Sequence, residues 1–77
     1  MDGTTVTLGK SIRLFECTSG IQLTLAGQIL PAGAKIVIGD AEKMIYDHRD
    51  QSVFSIDIGK ETTYWILESE LEVRTDA

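Results

Sequence analysis

Few residues in this chain could do chemistry, and their spacing restricts what they could do. His48 sits in "DHRD", between Asp47 and Arg49, and a histidine beside a carboxylate can act as a general base. Neighbours on an extended chain point to opposite faces, however, and a polar tetrapeptide between apolar runs reads as a loop. Cys17 is the only cysteine, which excludes an intrachain disulfide, and no neighbouring group is placed to activate it as a nucleophile. One Cys and one His cannot fill a zinc site without several carboxylates, and no paired-ligand spacing occurs. The glycines form no phosphate-cradling run before a helix. The sequence therefore predicts no catalytic residue, no cofactor and no metal.

The acidic end of "YWILESELEV" remains. Glu68, Glu70 and Glu72 recur at every second position, which on a regular strand sets three carboxylates along one side. Such a row either protects a sheet edge from pairing or docks a basic protein. In the docking reading, Tyr64 and Ile66 supply an apolar centre and the glutamates its rim. Charge is unevenly spread. Residues 1–39 carry Lys10, Arg13 and Lys35 against Asp2 and Glu16, a net +1. Residues 40–77 hold ten acids against Lys43, Arg49, Lys60 and Arg74, a net −6. An acidic half repels phosphate backbones and disfavours direct nucleic-acid binding.

The elements that must position these side chains read as strands. Seventy-seven residues make one domain with a thin core, and β-branched residues alternate between Gly or Pro punctuation, the pattern of an all-β sandwich or barrel. In "SIRLFECTSGIQLTLAG", a turn at Ser19-Gly20 sets Glu16 against Leu23 and Leu14 against Leu25. Ile12, Leu14, Ile21, Leu23 and Leu25 then share the core face, and Phe15 is left outside, in need of a partner. Pro31 at the second position of a turn and Gly33 at its close precede the strand 34–38, apolar on both faces. Residues 40–50 read as a strand ending in a polar loop. In "SVFSIDIGKETTYWIL", a two- or four-residue loop from Gly59 puts Phe54, Ile56, Ile58, Trp65 and Leu67 in the core. Leu71 and Val73 follow them inward, either along a straight strand or after one 3₁₀ turn at "ESEL". Tyr64 and Ile66 point away.

"ILPAGAKIVI" and "SVFSIDIGKETTYWILESELEV" together resemble the small SH3-like barrels: a proline-glycine turn, a short apolar strand, a tight hairpin, an aromatic pair, a brief turn and a last short strand. The resemblance implies an SH3-like barrel of about five or six short antiparallel strands over residues 1–77. That superfold includes peptide binders, nucleic-acid binders and accessory subunits. Some chains of this size and class, such as the plasmid-borne dihydrofolate reductases, become enzymes by assembling a shared pore.

The functional expectation is a non-enzymatic protein-interaction module, or a small accessory or inhibitory protein, with an acidic docking surface. Its candidate interface is Phe15, Tyr64, Ile66, Glu68, Glu70 and Glu72, and its partner is a basic protein or a second copy in a homo-oligomer. The alternative is an oligomeric small-ligand-binding barrel or pore-type enzyme. A nucleic-acid-binding barrel ranks last. No basic start followed by an apolar run opens the chain, so neither a signal peptide nor a membrane span is expected, and the expected location is the cytoplasm.

Overall fold

A computed structural model describes residues 3–59 and 61–74. Six strands follow in chain order: β1 (Thr4–Thr7), β2 (Ile12–Ser19), β3 (Gln22–Leu30), β4 (Lys35–Tyr46), β5 (Arg49–Asp57) and β6 (Tyr64–Leu67). A single 3₁₀ turn, Glu68–Glu70, comes after β6. The all-β expectation holds. Strand order is β1-β4-β3-β2-β6-β5, and β5 pairs back onto β4, so five strands close a ring with β1 outside it. The sheet is mixed rather than wholly antiparallel. The β3–β4 seam is one parallel pair, Gln22↔Ile45, where the Ile45 N–H donates to the Ile21 carbonyl at 2.7 Å. β1 and the chain's end brace each other: the Arg74 N–H donates to the Thr7 carbonyl and the Gly9 N–H to that of Glu72, both at 2.7 Å.

Strands β2, β5 and β6 bury side chains on both faces. One cluster holds Leu8, Ile12, Leu14, Ile36, Ile56, Tyr64 and Ile66. The other holds Phe15, Leu23, Met44, Val53 and Leu67, with Tyr46 and Trp65 packed against it. Consecutive residues Leu14 and Phe15 thus enter different clusters, as do Ile66 and Leu67. A bulge in β4 makes the second cluster possible. The β4–β5 register shifts between Ile38 and Ala41, which changes the face presented by even-numbered residues, so Ile36 enters the first cluster and Met44 the second. Ser55 fixes the bulge by accepting the Asp40 N–H at 2.8 Å. Gly39 permits the approach, since a Cβ there would lie 2.6 Å from Ser55 Oγ.

Several expected registers differ by one residue. In the β2–β3 hairpin Phe15 pairs with Leu25, Glu16 with Thr24 and Cys17 with Leu23. The turn lies one position later than expected, at Gly20-Ile21, with Gly20 at φ 63°. The slip moves Leu25 from the face of Leu14 to that of Phe15. Leu14 and Phe15 are both buried, in different clusters, while Leu25, beside Phe15, and Ile21, in the turn, are exposed. In the β5–β6 hairpin, an even loop would set Ile56 against Thr63 or Trp65. The chain sets it against Tyr64, and Phe54 against Ile66. Tyr64 and Ile66 therefore join Ile56 inside, and Trp65 is half-buried on the other face. Lys60, half of the expected Gly59-Lys60 turn, lies outside the described residues. Leu71 packs inward as expected, whereas Val73 is exposed.

The remaining turns match the sequence reading closely. The Pro31 carbonyl accepts the Ala34 N–H at 3.2 Å, with Gly33 at φ 89°, so proline opens the turn rather than taking its second position. Residues 40–50 are strand and then hairpin. Asp47 and His48, at φ 55° and 62°, make a two-residue turn of the type whose twist suits a hairpin.

Candidate functional site

The six residues expected to form an interface do not share a surface. Phe15 and Ile66 are 0% exposed and Tyr64 is 7% exposed, so none is free to meet a partner. The physical reason is the register: both faces of β2 and β6 are covered, and alternation along a single strand cannot reveal that. The glutamates form no ladder either, because the 3₁₀ turn at Glu68–Glu70 breaks the strand period. Glu68 and Glu72 are exposed, while Glu70 is half-buried and bonded to Arg13. His48 occupies the exposed β4–β5 turn, as its polar neighbours imply. Cys17 is exposed, and its thiol donates to the Gly20 carbonyl at 2.7 Å. Among the described residues no three of His, Cys, Asp or Glu gather at metal-binding distance.

The structure assembles a different face, which centres on Arg13. Its Nη2 lies 2.5 Å from Glu70 Oε2, and its guanidinium carbon is 5.3 Å from the Phe15 ring centroid and 5.9 Å from that of Tyr46. The two rings meet edge to face with centroids 4.9 Å apart. The hydrogen bond to Glu70 raises the Arg13 pKa above its ordinary value, against a smaller lowering by burial, so the cation persists at any workable pH. A carboxylate and two aromatic faces hold a normally flexible side chain in one place.

Apolar side chains surround this fixed cation. Arg13 pairs across the sheet with Ile29, and Phe15 pairs with Leu25 on one side and Trp65 on the other. Direct cross-strand partners share a face. Ile29 and Leu25 are 66% and 51% exposed, and with Arg13, Gly27 and Gln28 they border a hollow of about 220 Å³. Aromatic, aliphatic and arginine side chains side by side are the composition of protein-binding hot spots. One sequence signal could have located the face: from Cys17 to Ala34 no Asp, Glu, Lys or Arg occurs, although charged residues make up 25% of the chain.

A larger concavity, about 460 Å³, lies on the β4–β5 side and is bordered by Val37, Ser55, Asp57, Glu61 and Thr62. It is open, and both its carboxylates are exposed. Asp57 Oδ1 already accepts the Gly59 N–H at 2.8 Å. Nothing there desolvates a charge in the way that catalytic acids and bases require. No helix among the described residues is long and apolar enough to cross a membrane. No protein family, curated protein or solved structure matches this chain, so the geometry alone carries the functional reading.

Proposed function

We propose that this chain is a non-enzymatic protein-interaction module that binds through the face formed by Arg13, Leu25, Ile29 and Trp65. One observation carries the reading: two large aliphatic side chains, more than half exposed, flank an arginine already immobilised by Glu70, Phe15 and Tyr46. Ordering a free arginine on binding costs about 0.5–1.5 kcal/mol. Here the fold has met most of that cost. The five-strand ring and its Pro31–Gly33 turn support reading the chain as a small SH3-like barrel.

The proposed surface is apolar around a single arginine paired with Glu70, so binding rests on contact area rather than attraction to a basic partner. Glu68 and Glu72 then act as solubilising charge. The experiment is capture of partner proteins by wild type, by Leu25→Glu and by Glu68→Gln/Glu72→Gln, each first shown to fold by its melting curve. The reading expects capture to be lost only in Leu25→Glu. Capture unaffected by Leu25→Glu, or abolished by the glutamate changes alone, would overturn it.

A further inference from the structure

We infer that the proposed binding face docks on the same face of a second copy of this chain, each copy's Ile29 seated in the other's hollow beside Arg13. The inference rests on that binding face and names its occupant. The hollow owes its shape to an irregularity in β3. Arg13 pairs with Ile29 and Phe15 with Leu25, so Ala26, Gly27 and Gln28 together stand opposite Leu14 alone. Gly27, at φ 79° within this bulge, has no side chain, and nothing lies within 4 Å of where a Cβ would be. Leu25 and Ile29 share the face of their partners with a gap between them, the hollow of about 220 Å³ bordered by Arg13, Leu25, Gly27, Gln28 and Ile29. The bulge also denies this part of β3 a regular ladder, so a partner meets the region through side chains rather than by adding a strand.

Two observations select a second copy. The first is shape. Ile29, 66% exposed, is the most exposed large apolar side chain among the described residues, and it stands on the rim of the hollow. A surface with a projecting side chain next to a recess can satisfy both against itself about a two-fold axis, as an isologous interface requires. The second is charge. The chain carries −5 overall, so copies repel wherever their acidic halves meet. Of the residues bordering the hollow only Arg13 is charged, and Glu70 balances it at 2.5 Å. No Asp, Glu, Lys or Arg occurs from Cys17 to Ala34. Two copies can meet here with no net charge opposed, and a charged partner of another kind finds no unbalanced charge to attract it.

The experiment is sedimentation velocity from low micromolar to millimolar concentration, with reductant present so that the exposed Cys17 forms no cross-link, and with four chains compared. Wild type should pass from monomer to dimer and stop there, because an isologous contact leaves no second copy of itself free. Ile29→Ala removes the projecting side chain and should raise the dissociation constant about tenfold. Leu25→Glu/Ile29→Glu, which sets carboxylates at the apolar contacts, should raise it further. Ile21→Glu/Val73→Glu adds the same charge at exposed apolar positions that do not border the hollow and should leave the dissociation constant close to that of wild type. All the altered side chains are exposed, and circular dichroism confirms folding. Wild type that remains monomeric throughout, assembly beyond the dimer, or equal weakening by the two double substitutions would overturn the proposal. The two readings fail separately: a monomer whose capture of another protein is still lost in Leu25→Glu refutes the dimer and keeps the binding face.

Discussion

Arg13 is held between Glu70, at 2.5 Å, and the Phe15 ring, 5.3 Å from its centroid. The pair joins the second strand to the 3₁₀ turn near the chain's end, across 57 residues, and both side chains keep partial contact with water. A pair of that kind contributes about 0.2–1 kcal/mol. Glu70→Gln should therefore lower stability by no more than that, and the difference from wild type should vanish in high salt. Arg13→Ala should cost more, since it also removes packing over two rings. Urea midpoints at two ionic strengths check both. Because the folded-state pKa of Arg13 is raised, its contribution is fully present below the unfolded-state value and is lost only as pH climbs through the still higher folded value. Between mildly acidic and mildly alkaline pH, ionisation of Arg13 should leave stability unchanged.

Phe15 should dominate the stability of the fold. It is fully buried in the second cluster and touches Tyr46. Removing a buried aromatic costs about 3–5 kcal/mol, and a domain of this size has little more than about 5 kcal/mol in total. Phe15→Ala should be largely unfolded at room temperature, whereas Trp65→Ala, taken from a half-buried position, should remain folded with a reduced melting temperature. Thermal denaturation followed by circular dichroism distinguishes the two. A Phe15→Ala protein as stable as Trp65→Ala would mean that the β2 register is wrong.

The bulge makes a sharper demand on two small residues. Gly39→Ala alone should destabilise the chain, because the new methyl meets Ser55 Oγ at 2.6 Å. Ser55→Ala alone should cost about 1 kcal/mol through the lost bond from the Asp40 N–H. Together they should cost less than their sum, since removing the hydroxyl relieves the clash and the next nearest Ser55 atom is at 3.6 Å. A double-mutant cycle by urea denaturation reads this coupling directly.

The β4–β5 turn offers the opposite test. His48 holds φ at 62°, a conformation that glycine adopts without strain. His48→Gly should raise stability by up to about 1 kcal/mol, measured as an upward shift in melting temperature.

These residues also show where the sequence could be read and where it could not. The strands, the Pro31–Gly33 turn and the polar turn at Asp47-His48 follow from local chemistry, and local chemistry located them. Facing was harder. In "YWIL" four apolar residues enter two clusters, so no alternation separates inside from outside, and facing depends on the parity of the β5–β6 loop, which local composition does not determine. Phe15 is interior for the same reason: β2 is covered on both faces, Leu14 entering one cluster and Phe15 the other, and the turn at Gly20 rather than Ser19 sets Leu25 beside Phe15 instead of Leu14. The glutamate spacing makes a ladder only on a straight strand, and the 3₁₀ turn at Glu68–Glu70 bends the chain there. The binding face was legible in another form, as the stretch from Cys17 to Ala34 without charge.

Trp65 allows the central claim to be tested in the unaltered protein. It is the only tryptophan, and it shares a cross-strand row with Phe15 and Leu25, within about 10 Å of Leu25 at the usual strand spacing. The measurement is acrylamide quenching of its fluorescence across a concentration series, in wild type and in Leu25→Glu/Ile29→Glu. If this face meets protein, quenching in wild type falls as concentration rises and as sedimentation reports association, and the doubly acidic chain stays fully quenchable. Association that leaves Trp65 equally quenchable in both chains would place the contact elsewhere on the molecule and contradict the assignment of this face.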